Sequence, residues 1–551
     1  MTDMRKYSSQ GSAFFWLTVV LALTTSQSFA ARQERKIDSW RPLHYSVFIT
    51  LGEGLKEIRK ATTEVTVTTV KPNVRSIDLD FGSLSIDSVR VNNRAARFTR
   101  KGERLIVHLP KTTGCGARLV IAVNYHGKPQ DGLMLMSDKD GKPSAVGDNW
   151  PNRVHHWIPT LDHPSAKASV SFTITAPSEN VVVANGKLQT VGSSSSMTRT
   201  WRYNEVAPIP PYCMIFAAGQ FAKLNPPAPS EVPLEYYVPF SDQSHAIKGF
   251  ASAGPSLRFF SQTVAPYPYE KLALIVGNTQ FGGMENSSAI VFASTLFNPQ
   301  PNAPLSQTFG IPSGIVELVA HEVAHQWFGD SVSGATWADL WLSEGFATYF
   351  AGVFVQQTDG EAAFREYMKE AATSVLQYER QRRAPLHDRE TEDLFKLLNP
   401  NNYQKGAWVL HMLRAQLGDD VFFRGIRNFY EAHKGSIATS EDLRVSLEKA
   451  SETDLREFFA RWVYSTGHPS YEFSWRWDSV RKSLIVELNQ IQPESGFPNS
   501  VPVHVVTERG NQIILLKPTT KKHITQHSVE LEPTSVELDP ENTVLKRVIL
   551  R

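Results

Sequence analysis

Cysteine is nearly missing from this sequence, with only Cys115 and Cys213 in 551 residues. Two thiols so far apart exclude a cysteine-built zinc site and a disulfide framework. A single Cys115–Cys213 bridge stays open, because sequence alone does not bring the two together. No surplus of one charge exists either. The 57 Lys and Arg face 55 Asp and Glu, a net charge of +2, so nothing points to nucleic acid or an acidic surface as partner. No segment repeats at a fixed period, which argues against a repeat architecture. Beyond the N-terminus no apolar run is long enough to cross a membrane. What remains, 41% hydrophobic and 20% charged residues, is the composition of a globular chain long enough for more than one domain.

The N-terminus has the pattern of an export signal. Arg5 and Lys6 precede the apolar run Ala13–Leu23, and small residues frame a cleavage site at Ser28-Phe29-Ala30. Residues 1–30 are therefore expected to be a signal peptide. The apolar run is too short for a comfortable membrane span, and no cysteine near the cleavage site offers a lipid anchor. The expected mature protein is exported, periplasmic or secreted, with no stable membrane span.

Three regions follow. From Trp40 to Phe221 short alternating segments recur, among them residues 44–51, 64–70, 84–92, 104–109 and 118–125, separated by turn residues such as Asn92-Asn93 and Asn185-Gly186. This spacing predicts an all-β domain, and the serine run 193–196 reads as a hairpin tip. The proline-rich segment 225–233 reads as a connection. Helical periodicity dominates from Ser244 to Trp462, clearest over 314–328, 361–378 and 404–417, with a capping pattern at Thr439 and Asp442. The charged stretch 385–400 reads as a solvated loop. From Pro469 strand patterns return, with a hairpin signal at Arg509-Gly510-Asn511, and predict a small β-sandwich. The expected fold is multidomain α+β: a β-sheet domain over 36–224, a mostly helical catalytic domain over 225–468 and a C-terminal β-sandwich over 469–551.

Chemistry concentrates at His321–Glu344, which reads HEVAHQWFGDSVSGATWADLWLSE. Side chains four apart on a helix share one face, so His321 and His325 can offer two imidazoles to one metal ion. Glu322, one position round, can reach a water at that metal without ligating it. Glu344, returned by a second helix, supplies a carboxylate. Two His and one Glu with an open position is the ligand set of catalytic zinc. The bland alternative is a pair of core histidines. The apolar flanks weigh against it, since burying these groups and Glu344 without a partner is costly.

Two further segments carry polar groups in unusual company. QFGGMENSSAIVF (280–292) sets Glu285 beside Gly282 and Gly283, whose backbone allows close approach. A carboxylate beside such a strip could bind the amine of a peptide, although by itself the segment could be a turn. NNYQKGAWVLHML (401–413) places Tyr403 just before an amphipathic helix. Its hydroxyl, aimed at the metal, could donate to an oxyanion; in isolation it would be a half-buried aromatic.

Taken together, GGMEN (282–286), HEVAH (321–325), WLSEGFA (341–347) and YQKG (403–406) resemble, in order and spacing, the zinc aminopeptidases of the aminopeptidase N and leukotriene hydrolase family. LVIAVNYHG (119–127), IPTLDHPSAKA (158–168), IPPYCMIFAAGQF (209–221) and FFARWVYSTGHP (458–469) extend the likeness over nearly the whole mature chain. The resemblance implies a thermolysin-like catalytic domain with one zinc per chain, held by His321, His325 and Glu344. It implies Glu322 as general base, Tyr403 as oxyanion donor and Glu285 as the anchor of the substrate's free α-amine. Gly282, Gly283, Met284 and Asn286 would line the substrate, a peptide with a free N-terminus.

The sequence departs from the family pattern in three places. Ser343 stands where members commonly carry Asn. A count back from Asp162-His163-Pro164 puts Trp150 where members carry a Gln or Glu that helps hold the amine; Asp148 or Asn149 could take that part, while His155 and His156 read as strand or surface residues rather than ligands. Finally, the chain stops after the small β-domain, without the large helical C-terminal domain of bigger members, so a more open cleft is expected. Among competing readings, a metzincin needs Gly and His where Phe328 and Ser331 stand. A zinc endopeptidase shares the ligands but gives no reason for GGMEN. Epoxide hydrolysis has no visible pocket signature. A catalytically inactive binding protein of the same fold predicts a lost ligand, base or tyrosine, and all are present.

Overall fold

The structure is a computed structural model and describes residues 31–35, 37–193, 196–226, 232–297, 314–518 and 520–550. The expected signal peptide, the middle of the serine run and most of the proline-rich connection lie outside the described residues.

The N-terminal region is all-β, as its alternation predicts. Its main sheet has eight strands in the order Lys187–Ser193, Thr198–Ile209, Ala168–Pro177, Trp40–Leu51, Ile58–Thr69, Arg118–Gly127, Ser85–Val91, Arg94–Ala95. Trp40–Leu51 runs parallel to Ala168–Pro177 and antiparallel to Ile58–Thr69. Inward residues such as Val47, Ile49, Val65 and Val67 are buried, and neighbours such as Phe48 and Thr62 face outward, the period-2 signature of a sheet covered on one side. Cys115 is exposed and Cys213 buried, and the two are free thiols.

The middle region is helical but not purely so. Helices α1 (Ala253–Thr263), α2 (Ile315–His325), α3 (Trp341–Asp359), α4 (Glu361–Gln381), α5 (Gly406–Leu417), α6 (Asp419–His433), α7 (Ser440–Ser451) and α8 (Arg456–Trp462) occupy most of it. Thr439 caps α7 through a reciprocal bond with Asp442, as its sequence signals. The reading as a helical region missed a five-stranded sheet in the order Ala222–Leu224, Leu234–Val238, Leu272–Gly277, Ala289–Ala293, Gly283–Met284. Its inner strands LALIVG and AIVFA are parallel and fully buried. Strands buried on both faces are continuous apolar runs, which periodicity does not separate from buried helix. The stretch 385–400 is also less solvated than its charges suggest. Leu386 and Leu397 are fully buried, and Asp388 is buried under bonds from Thr391 and Glu390.

The C-terminal residues form a four-stranded sheet (Lys522–Ser528, Ser483–Gln490, Ser470–Asp478, Arg547–Leu550) and a three-stranded one (Gly510–Leu516, Val501–Thr507, Ser535–Leu538). Their inward residues, such as Val486 and Val503, share one continuous core with the helices. The N-terminal sheet has its own core. A third, smaller cluster joins Trp150 and Tyr212 from the β region to Phe281, Met284, Trp337 and Leu397. The candidate site stands at that seam.

Candidate active site

Helix α2 places His321 and His325 one turn apart on one buried face, with Nε2 atoms 3.0 Å from each other. Glu344, in the first turn of α3, brings one carboxylate oxygen to 3.5 Å from the His321 nitrogen and 3.3 Å from the His325 nitrogen. These separations match ligands arranged around a tetrahedral ion, which at bond lengths of about 2.0–2.2 Å stand roughly 3.3 Å apart. All three residues are at most 3% exposed. That same Glu344 oxygen, Oε2, and Oε2 of Glu322 have no hydrogen-bond partner among the described residues. Buried carboxylate oxygens without partners are expensive, and a bound cation would satisfy the one on Glu344.

Charge in the cluster points the same way. Burial opposes ionisation at every one of these groups. Glu344 is nevertheless held down to about 2 by the two imidazoles. His325 is raised to about 10 by Glu344 and Glu285, and His321, with His325 beside it, is pushed down to about 4. The side chains are thus arranged around one positive charge, which a divalent cation supplies better than a lone proton. Burial lifts Glu285 to about 7 and Glu322 well above the ordinary carboxylate range.

The supports of this cluster are specific. His325 Nδ1 lies 3.1 Å from the Phe328 carbonyl and 3.1 Å from the Ser343 hydroxyl. Such contacts set the tautomer and ring angle of a ligand histidine, so the serine at this position orients His325 directly. Tyr403 lies in a π-helical turn (Asn401–Lys405) that runs into α5, a distortion often found where a helix serves a site. Its ring lies parallel to that of His321, centroids 5.9 Å apart. Burial and three neighbouring carboxylates keep its hydroxyl protonated.

Within GGMEN, Gly283 and Met284 form a short edge strand. Gly283 and Met284 pair antiparallel with Phe292 and Val291. Gly283 lies so close to Glu322 that a Cβ there would stand 2.3 Å from its carboxylate oxygen. A residue not anticipated from sequence, Gln326, fastens this strand to α2. Its amide donates to the Glu285 carbonyl at 2.8 Å and its oxygen accepts from the Ser288 N–H at 2.8 Å. Its place directly after HEVAH was the available signal.

An open pocket joins these parts, lined by His321, Glu322, His325, Glu344, Tyr403, Gly282, Gly283, Met284 and Glu285, with Trp150, Phe281 and Leu398 as its apolar wall. Asn286, expected to line the substrate, does not line it. It is fully buried and its amide turns back to the Met284 carbonyl. Asp148 and Asn149 do not reach the cavity either. Asp148 is taken by Arg153 and Thr279, and Asn149 by the Met214 carbonyl and the Trp157 indole. Trp150 is the residue of that loop that faces the site, packed edge-on against Phe281, Trp337 and Phe395. His155 and His156 close a 3-10 turn instead of a strand, and His155 is buried.

The comparisons with known proteins agree with this architecture. Residues 41–213 match the peptidase M1 N-terminal domain, and residues 250–462 match the peptidase family M1 domain. Curated relatives include a probable aminopeptidase 1 of Saccharolobus solfataricus, 25% identical over 74% of this chain and 53% of its own length. A leucyl aminopeptidase from the same organism is 25% identical over 78% of this chain and 54% of its own length. The human glutamyl aminopeptidase is 26% identical over 70% and 41%. The chain thus spans about half the length of the curated relatives it matches. A crystal structure of an M1 zinc metallopeptidase from Deinococcus radiodurans shares the fold, with a TM-score of 0.65 at 21% identity, covering 77% of this chain and 93% of that one. The two domain matches, in order and on either side of the seam that holds His321, His325 and Glu344, place this chain in peptidase family M1.

Proposed function

We propose that this protein is a zinc-dependent aminopeptidase that removes the first residue of peptides. The observation that carries this reading is the convergence of Glu285 on the same cavity as the His321, His325 and Glu344 cluster and the carboxylate of Glu322. A buried carboxylate that lines this pocket beside the three proposed zinc ligands suits a cationic α-amine, and an enzyme that cut inside chains would have no use for it. Its pKa, raised to about 7 by burial, would fall as an ammonium group docks against it.

One zinc ion held by His321, His325 and Glu344 supplies a Lewis acid that acidifies water and polarises a peptide carbonyl. The chain's own groups do the rest. Glu322, with one oxygen free of hydrogen bonds, takes a proton from the attacking water and passes it to the leaving amine. Tyr403 keeps its proton and donates a hydrogen bond to the developing oxyanion. Glu285 holds the α-amine and so sets which bond lies in front of the base. Trp150, Phe281, Met284 and Leu398 offer the first side chain an apolar wall, which favours an apolar N-terminal residue.

Matched peptides with free and N-acetylated N-termini test this reading. We expect cleavage of the free peptide only, abolished by a chelator. Equal cleavage of both would sink the aminopeptidase reading in favour of an endopeptidase, and no cleavage of either with metal bound would favour an inactive binding protein. The pattern of residues 1–30 supports export with cleavage after Ala30. N-terminal sequencing of the protein recovered from its native host tests that; an intact Met1 would refute it.

A further inference from the structure

Away from that cavity, on the N-terminal sheet region, Glu103, His155 and His156 meet. Glu103 lies in the turn between Phe98–Lys101 and Arg104–Thr113, and the histidines end the turn Val154–His156. Backbone bonds tie both to one strand end. The Phe81 N–H donates to the Glu103 carbonyl and the Gly82 N–H to the His155 carbonyl, each at 2.8 Å. His155 Nε2 lies 3.4 Å from one Glu103 oxygen, and His156 Nδ1 lies 3.7 Å from the other. One ligand atom from each residue falls within a single 4.8 Å circle.

Both of those ring nitrogens are buried atoms without a hydrogen-bond partner among the described residues. His155 is 8% exposed, so its free nitrogen is not answered by bulk solvent. The opposite side of the ring is fully committed. Its Nδ1 donates to Asp162 at 2.8 Å, and the His155 backbone N–H donates to the same carboxylate oxygen at 3.1 Å. With the proton on Nδ1, Nε2 keeps a free lone pair 3.4 Å from Glu103, and the His155 and His156 rings lie against each other with centroids 4.2 Å apart and planes at 36°. A carboxylate behind a histidine that presents its other nitrogen to two further ligands is the recurrent support of metal-bound imidazole. Two imidazoles and a carboxylate suit zinc or a neighbouring divalent transition ion. The two nitrogens approach different Glu103 oxygens, at 3.4 and 3.7 Å, and the three ligand atoms lie within 4.8 Å of one another, so an ion would draw them in toward the roughly 3.3 Å of ligands on such a metal.

We propose that Glu103, His155 and His156 form a second metal site, for a zinc-like divalent ion, with solvent completing the shell on the side where Glu103 is exposed. An ion there would pin the 98–113 hairpin to the turn that follows Trp150 and Arg153. It would stiffen the loop that carries the cavity's tryptophan without touching substrate. The competing arrangement is a protonated His155 shared between Asp162 and Glu103, which needs no metal.

The test is a count of tightly bound zinc in the full-length holoenzyme, by mass spectrometry after equilibration with buffered micromolar zinc at neutral pH. The wild-type protein should hold two equivalents. Glu103→Ala and His156→Ala should each hold one, with peptidase turnover unchanged. A Glu344→Gln chain should retain one equivalent and lose it when His156→Ala is added, which separates this site from the proposed catalytic one. Glu103 is exposed, so its variant tests the site even if a histidine variant folds poorly. A single equivalent in the wild type, or equal counts in wild type and Glu103→Ala, would overturn the proposal and leave the cluster as an ion pair.

Discussion

Gly345 and Gly406 lie backbone against backbone: a Cβ on Gly345 would stand 2.7 Å from the Gly406 Cα, and one on Gly406 would stand 2.8 Å from the Gly345 Cα. The first glycine follows Glu344 in WLSEGFA and the second closes YQKG. Their contact lets α3 and the turn that begins α5 cross close enough to put the Glu344 carboxylate and Tyr403 on one cavity. Gly406→Ala should push the two apart. We expect overpacking to cost about 1–3 kcal/mol of stability, read by denaturant unfolding, and kcat to fall with it. An unchanged kcat would show that this crossing does not set Tyr403.

Gly283 makes a different close contact, with the side chain of Glu322. Gly283→Ala should displace the carboxylate that we assign as base, and a shift of about 1 Å in such a group costs on the order of 10²-fold in rate. Bound zinc should stay unchanged. Glu322→Gln removes the base itself while keeping the shape, with an expected loss of about 10²–10⁴-fold in kcat. Full activity in a zinc-loaded Glu322→Gln protein would refute the mechanism.

Glu285 should act on recognition. A hydrogen bond to a charged group contributes about 1.5–3 kcal/mol, so Glu285→Gln should lower kcat/KM for free-amine peptides by roughly 10–10²-fold. The variant's preference for free over acetylated N-termini should shrink by the same factor. Steady-state kinetics on the matched pair reads both.

Glu379 should make stability depend on acid. The lysine of YQKG, Lys405, is fully buried and donates to Glu379 at 2.6 Å, and His468 bonds its other oxygen. Burial alone would raise the Glu379 carboxyl; Lys405 and His468 hold it down to about 2, from an ordinary value of 4.5. A depressed folded-state pKa means the stabilisation is complete above about 4.5 and is lost as pH falls toward 2. Thermal unfolding from pH 6 to pH 3 should therefore show a decline that is shallower in Glu379→Gln. That variant leaves Lys405 buried without its partner and should cost about 3–5 kcal/mol at neutral pH. Parallel pH curves for the two proteins would contradict this role.

Much of this protein was legible in its sequence, because the signals were local. His321 and His325 sit four apart on an apolar run, and helix geometry alone puts them on one face. The alternation in segments such as 44–51 and 118–125 marks half-covered strands, and Thr439 with Asp442 marks a helix start. The motif order pointed to Glu344, Tyr403 and Glu285. The three-dimensional arrangement decided what depends on residues distant in sequence. The sheet holding GGMEN was hidden because LALIVG and AIVFA are buried on both faces and leave no period. Asn286 follows Glu285 in the motif, yet its side chain turns away from the cavity because the Met284 carbonyl needs a donor. Trp150, rather than Asp148 or Asn149, faces the site because Arg153, Met214 and Trp157 already occupy those two polar groups. Which residues are candidate ligands and proton-transfer groups was readable in the sequence as residue type and spacing. Which of them share one cavity was settled by the backbone crossing of Gly345 and Gly406 and by the approach of the Glu322 side chain to Gly283, contacts between segments that no local pattern records.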